Sequence, residues 1–215
     1  MKTPARLFSL FALAIALAQP CRGVVAVTWL NEPIVLWSEY FATYHPLDIN
    51  ADGFTDFVFG YDVSFVGVRS EGDNQYLIWP SGGNDYGGDI EPLTDGFEIG
   101  PNSGDDSWME WFGDGTGYDN LITCLSGSGG PVCVGRFVGQ HAYMGVAFDI
   151  DGATHYGWID LLVASLSPGA EIYGWGYETE PGVSILAGAG TVPEPATSAL
   201  LVAGGLLLAL RRKRK

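Results

Sequence analysis

An all-β domain is the fold class this sequence predicts, and three observations carry the prediction. Between positions 27 and 190 apolar residues alternate with polar ones at period two, and no run keeps helical spacing. Turn-forming clusters interrupt the alternation, notably Ser81-Gly82-Gly83-Asn84 and Gly113-Asp114-Gly115. No internal repeat is visible, which argues against a propeller and for an antiparallel two-sheet sandwich, jelly-roll-like in size.

The chain has 215 residues and divides by charge into three parts. Residues 1–26 hold Lys2 and Arg6 ahead of an apolar run over 7–18, broken by Gln19 and Pro20, the layout of a secretory signal helix. Twelve apolar-rich residues are too few to cross a hydrocarbon core of about 30 Å. Small residues at Val24 and Ala26 predict cleavage after Ala26, and cleavage after Gly23 is the alternative. The exported domain follows over 27–190. Its predicted strands cover 57–65, 75–79, 96–100, 143–148, 156–164 and 171–177. In the first of these Phe57, Phe59, Tyr61, Val63 and Phe65 share one face.

Residues 27–192 contain all of the 25 acids except Glu194, and only Arg69 and Arg136 of the 10 basic residues. The net charge of that stretch is −22, against −15 for the whole chain. Such a surface repels phosphate and excludes electrostatic nucleic-acid binding.

Three features within the domain carry chemistry. Cys124 and Cys133 bracket a Gly-rich loop, and with Cys21 lost in the signal segment they predict a disulfide in an oxidising compartment. His45, His141 and His155 lie far from both in sequence, which weakens a Cys-dependent catalyst or metal site.

The second feature is Asp48-Ile49-Asn50-Ala51-Asp52-Gly53-Phe54-Thr55-Asp56, with side-chain oxygens at loop positions 1, 3, 5 and 9. Gly53 permits the sharp turn, and the Phe54 carbonyl supplies position 7. This is a donor set for one calcium ion in a structural role. Position 12 is Phe59, so the bidentate carboxylate of an EF-hand is missing. The segment resembles the shorter calcium loop of FG-GAP repeats, which leads straight into a strand. The competing reading is an acidic turn held by Asx hydrogen bonds. A second acidic place, Asp149-Ile150-Asp151-Gly152, reads as a hairpin turn.

The third feature is aromatic. Trp108 and Trp111 are the candidates for stacking on sugar rings, beside Asp105, Asp106 and Glu110, which are the nearest carboxylates for glycosidase chemistry. Ordinary sandwich packing explains tryptophans of this kind equally well. No nucleophile elbow, phosphate-binding loop or zinc-spaced histidine cluster is present in the sequence.

At the C-terminus Pro193, Glu194 and Pro195 precede an apolar stretch over 196–210 and then Arg211-Arg212-Lys213-Arg214-Lys215. The apolar stretch predicts a short transmembrane helix whose basic tail stays on the cytoplasmic side. Fifteen residues span only about 22 Å, a mismatch that suits a transient anchor. Residues 191–215 resemble the PEP-CTERM sorting signal in motif, hydropathy, charge and position together. The resemblance implies recognition by exosortase, a membrane-embedded transpeptidase, with Pro193, Glu194 and Pro195 as recognition residues. It also implies delivery to the cell surface or an exopolysaccharide matrix. The stretch over 148–159, with Tyr177-Glu178-Thr179 and 181–185, resembles a module found ahead of such signals, from which no activity follows.

The functional expectation is therefore an exported, surface-sorted, noncatalytic matrix protein. A carbohydrate-binding module or adhesin is the alternative, and a secreted polysaccharide hydrolase or lyase the third.

Overall fold

Period-two patterning sorts each strand residue to one side of a sheet, and here it builds two separate apolar layers. The computed structural model describes residues 23–40, 42–80, 88–105, 108–127 and 130–190. The expected signal helix over 1–22 and the C-terminal helix over 196–210 lie outside these residues. Among the described residues there are strands and turns, no helix, and no helical segment able to cross a membrane.

The strands are β1 (Val25–Leu36), β2 (Thr43–Leu47), β3 (Phe57–Tyr61), β4 (Phe65–Ser70), β5 (Gln75–Pro80), β6 (Gly88–Ile90) and β7 (Glu98–Ile99). They continue as β8 (Glu110–Phe112), β9 (Asp119–Gly127), β10 (Gly130–Val134), β11 (His141–Ile150), β12 (Ala153–Val163), β13 (Ala170–Glu178) and β14 (Ile185–Leu186). Twelve of them form one hydrogen-bonded path, β1-β13-β12-β11-β5-β6-β9-β4-β3-β2, with β8 added on β5 and β10 on β9. Pairing is antiparallel except at the single β6–β9 contact, Asp89 opposite Asn120. β7 and β14 form a separate small ribbon.

The path folds over on itself. Phe57, Phe59, Val66, Val68 and Ile122 from one half share a buried core with Met144, Val146, Phe148, Ile159, Leu161 and Ile172 from the other. The Trp175 indole Nε1 donates to the Ile49 carbonyl at 3.0 Å, tying β13 to the loop after β2. The two leaves of the predicted sandwich are thus present but continuous. β5 makes the corner: its first residues pair with β11 and its last with β6.

A second, smaller core lies on the outer face of the leaf β1-β13-β12-β11. Trp158, Tyr156 and Ala147 from that face meet Leu93, Ile99, Ile185 and Ala187 from the ribbon and its flanks. Gly176 is required here, because a Cβ on it would fall 2.7 Å from the Trp158 ring.

The β11–β12 hairpin keeps ten consecutive pairs from His141 opposite Leu162 to Ile150 opposite Ala153. Its turn carries Asp151 at φ 55° and Gly152 at φ 83°, as the Asp-Gly signal predicts. The single strand predicted over 57–65 is instead two strands. Asp62 accepts hydrogen bonds from the Ser64 N–H and hydroxyl, its own N–H donates to Phe65 O, and the chain reverses. Val63 therefore sits exposed at the turn, and Phe65 opens β4.

Candidate functional site

The acidic loop between β2 and β3 is built by its own hydrogen bonds. Asp48 accepts from the N–H groups of Asp52 and Gly53, at 3.2 and 2.8 Å. Asn50 Oδ1 accepts from the Asp52 N–H, and Asp52 Oδ1 accepts from the Phe54 N–H at 2.8 Å. Ala51 at φ 61° and Gly53 at φ 93° give the loop its sharp bend. A carboxylate oxygen has two lone pairs, so an N–H bond orients it without exhausting it.

Asp56 has a different position from the other four. It is buried, with Oδ2 accepting from the Ile49 N–H at 2.7 Å and Oδ1 from the Asn74 amide at 3.2 Å. Burial, reinforced by Asp48 and Asp52, pushes its carboxyl up to about 6. Asn74 also accepts the Asp149 N–H at 2.9 Å, so one buried amide links the loop to the end of β11 beside the β11–β12 turn. That coupling joins the two acidic places of the sequence, and neither motif alone reveals it. Phe54 is exposed, and no three acidic, histidine or cysteine side chains among the described residues are gathered as a metal cluster.

Cys124 and Cys133 are joined by a disulfide, as their spacing predicts. They are cross-strand partners in the β9–β10 hairpin, with Cα atoms 4.0 Å apart.

The tryptophans separate. Trp108 is exposed and packs at a tilt against Trp79, with ring centroids 5.6 Å apart, whereas Trp111 is half-buried against Tyr156 and donates to the Gly100 carbonyl. Asp105 and Glu110 lie on the exposed side of this region, and Asp106 lies outside the described residues. Arg136 packs over Trp79, 4.1 Å from its centroid, and pairs with both oxygens of Glu91. Arg69 packs over Tyr118, 5.3 Å from its centroid, and pairs with one oxygen of Glu71. Both cations of the exported domain are therefore matched to a carboxylate and covered by a ring.

A site not legible in the sequence lies on the outer face of β11 and β12, where the second core ends. His141 Nε2 meets Asp160 Oδ1 at 2.7 Å, and the Tyr173 ring packs on the imidazole at 5.1 Å. Tyr143 is directly opposite Asp160, and the segment Pro92–Asp95 forms a wall beside them. The groove between has a volume of about 400 Å³. Burial raises the Asp160 carboxyl against the lowering effect of His141, and burial with the charges of Asp160 and Asp95 raises the Tyr143 hydroxyl.

The described residues define an all-β domain with a disulfide-closed hairpin. At the C-terminus residues 191–215 match the PEP-CTERM protein-sorting motif. The motif marks an exported protein processed by exosortase, with a C-terminal membrane anchor before sorting. No curated protein and no solved structure matches the chain. Pro193, Glu194 and Pro195, the expected recognition residues, fall within the matched segment and outside the described residues.

Proposed function

We propose that this is a noncatalytic surface protein that exosortase delivers to the envelope or an exopolysaccharide matrix. The observation that carries the reading is the sorting motif at 191–215 behind a disulfide-closed all-β domain. Expression with and without exosortase tests it. The expected result is a shorter, surface-retained product only in the exosortase host, and equal size and location in both hosts would refute sorting. Incubation of the exported protein with matrix polysaccharide is expected to release no reducing ends. Release abolished by replacing one carboxylate, with the fold intact, would make the protein a hydrolase instead.

Calcium is proposed as a structural ligand of Asp48, Asn50, Asp52 and the Phe54 carbonyl. The N–H-braced oxygens support this set, and Asp56 serves it as a brace at the strand start. Calorimetry is expected to give binding with a dissociation constant of about 0.1 to 1 mM, lost in Asp52→Ala. Heat that is absent, or unchanged in the variant, removes the ion from the account. The alternative role as a carbohydrate-binding module or adhesin is favoured by one observation, the exposed Trp108 ring packed beside Trp79.

A further inference from the structure

The outer-face groove has unfilled capacity for hydrogen bonding in a concave, rigid place. Asp160 is only 7% exposed, yet among the described residues its Oδ2 accepts no hydrogen bond and Oδ1 accepts only from His141. Oδ2 is not sealed from solvent and has lone pairs open for donors from the groove side. Asp95 and the Tyr143 hydroxyl likewise have no hydrogen-bond partner among the described residues, and both face this space. Its volume of about 400 Å³ falls in the range of small-molecule sites.

The surroundings are built to keep the space open. The register between β12 and β13 shifts between Asp160 and Leu161, a bulge of the sort that aims a side chain. Leu93 and Tyr143 exchange both backbone hydrogen bonds, which fixes the wall to the floor. Gly188 lies so close that a Cβ would be 2.5 Å from Asp95 Oδ1 and 2.8 Å from Tyr143 Oη. Any larger residue there would close the end of the groove.

The chemistry selects the ligand. Carboxylates and a phenol accept from and donate to hydroxyls. The Tyr173 ring, held by its Oη bond to Glu171 at 2.6 Å, packs on the His141 imidazole and braces that side of the groove. Among the described residues Arg69 and Arg136 are paired with Glu71 and Glu91, and His141 is bonded to Asp160. The groove's carboxylates, Asp95 and Asp160, disfavour uronate, phosphate and sulfate groups.

We propose that this groove is a saccharide site, taking a non-anionic pyranose through Asp95, Tyr143 and Asp160. The inference rests on the matrix reading above and supplies its contact. It places sugar recognition away from Trp108 and Trp111.

The test uses the exported protein and three probes by calorimetry: a neutral gluco-oligosaccharide, a glucosamine oligosaccharide and a uronate oligosaccharide. One of the first two is expected to bind at about millimolar concentration and the uronate not at all. Asp95→Asn and Tyr143→Phe should each weaken binding about tenfold or more, and Trp108→Ala should leave it unchanged. Asp95 is exposed and Tyr143 half-buried, so these variants keep the test open if Asp160→Asn fails to fold. The proposal is overturned if neither non-anionic probe binds at about 10 mM, if uronate binds best, or if the groove variants bind normally. Exosortase processing, scored in the same strains, is expected to be unchanged in every variant, so failure of the groove and failure of the sorting reading give different results.

Discussion

At the residue scale the most exacting polar arrangement is the pair Tyr76 and Asp119. The Tyr76 hydroxyl donates to Asp119 Oδ2 at 2.5 Å, and the Gly88 N–H donates to Oδ1 at 2.7 Å. Even so, burial outweighs these bonds and holds the Asp119 carboxyl above its ordinary value. The folded state therefore binds the Asp119 proton more tightly than the unfolded chain does. The resulting stabilisation is present below the ordinary aspartate range and is lost as pH rises through the raised value. Denaturant unfolding between pH 3.5 and 7, about the span of the carboxylate titration, should thus show wild type losing stability relative to Asp119→Asn as pH increases. A constant or widening advantage for wild type would contradict the assignment. Tyr76→Phe keeps the ring in the core but removes one donor from the buried carboxylate, at an expected cost of about 1 to 3 kcal/mol. It should also move the Asp119 transition to higher pH, because that hydrogen bond is what lowers it.

At the scale of elements, what could be read in advance was local. The acidic loop and the β11–β12 turn were legible because their residues are consecutive and their partners lie within a few positions. The run over 57–65 was misread because its odd-numbered apolar pattern continues in phase through the turn at Asp62 and Ser64. β1 and β2 carry Pro33 and Pro46, which mask a strand pattern; both elements end the sheet path, where a missing N–H is tolerated. The groove was illegible because Asp95, His141 and Asp160 come from separate segments. Only the β11–β12 register places Tyr143 opposite Asp160. Two predictions belong here. β1 begins at Val25, where Val25 and Ala26 pair with Glu178 and Tyr177. Cleavage after Ala26 would remove those pairs, so the mature N-terminus is expected at Val24 by mass spectrometry, and a start at Val27 would refute this. The β9–β10 hairpin is an edge, paired on β10's side by nothing further along the sheet path. Its disulfide closes a loop of sequence separation 9 and is expected to contribute about 2 to 3 kcal/mol, read as the stability lost in the Cys124→Ser, Cys133→Ser double variant. No measurable loss would show that the hairpin is held by its ladder alone.

At the scale of the whole molecule, charge governs behaviour. The stretch 27–192 is at −22, and both of its cations are tied to neighbouring carboxylates, so no positive patch interrupts the field. Like charges repel within each copy and between copies, and salt screens both, since the Debye length falls from about 30 Å at 0.01 M to about 10 Å at 0.1 M. The melting temperature should therefore rise with sodium chloride over that range, and a flat or falling profile would contradict the charge argument. Divalent ions act by the same screening, which makes the calcium proposal separable by magnitude and specificity. Magnesium and calcium at equal ionic strength screen alike. A site with a dissociation constant near 1 mM adds about 1.4 kcal/mol at 10 mM calcium, saturates, and depends on Asp52. Equal stabilisation by both ions, unchanged in Asp52→Ala, would assign the whole effect to the field. An excess for calcium that disappears with Asp52 would assign that excess to the loop between β2 and β3, and the remainder to screening of an acidic surface.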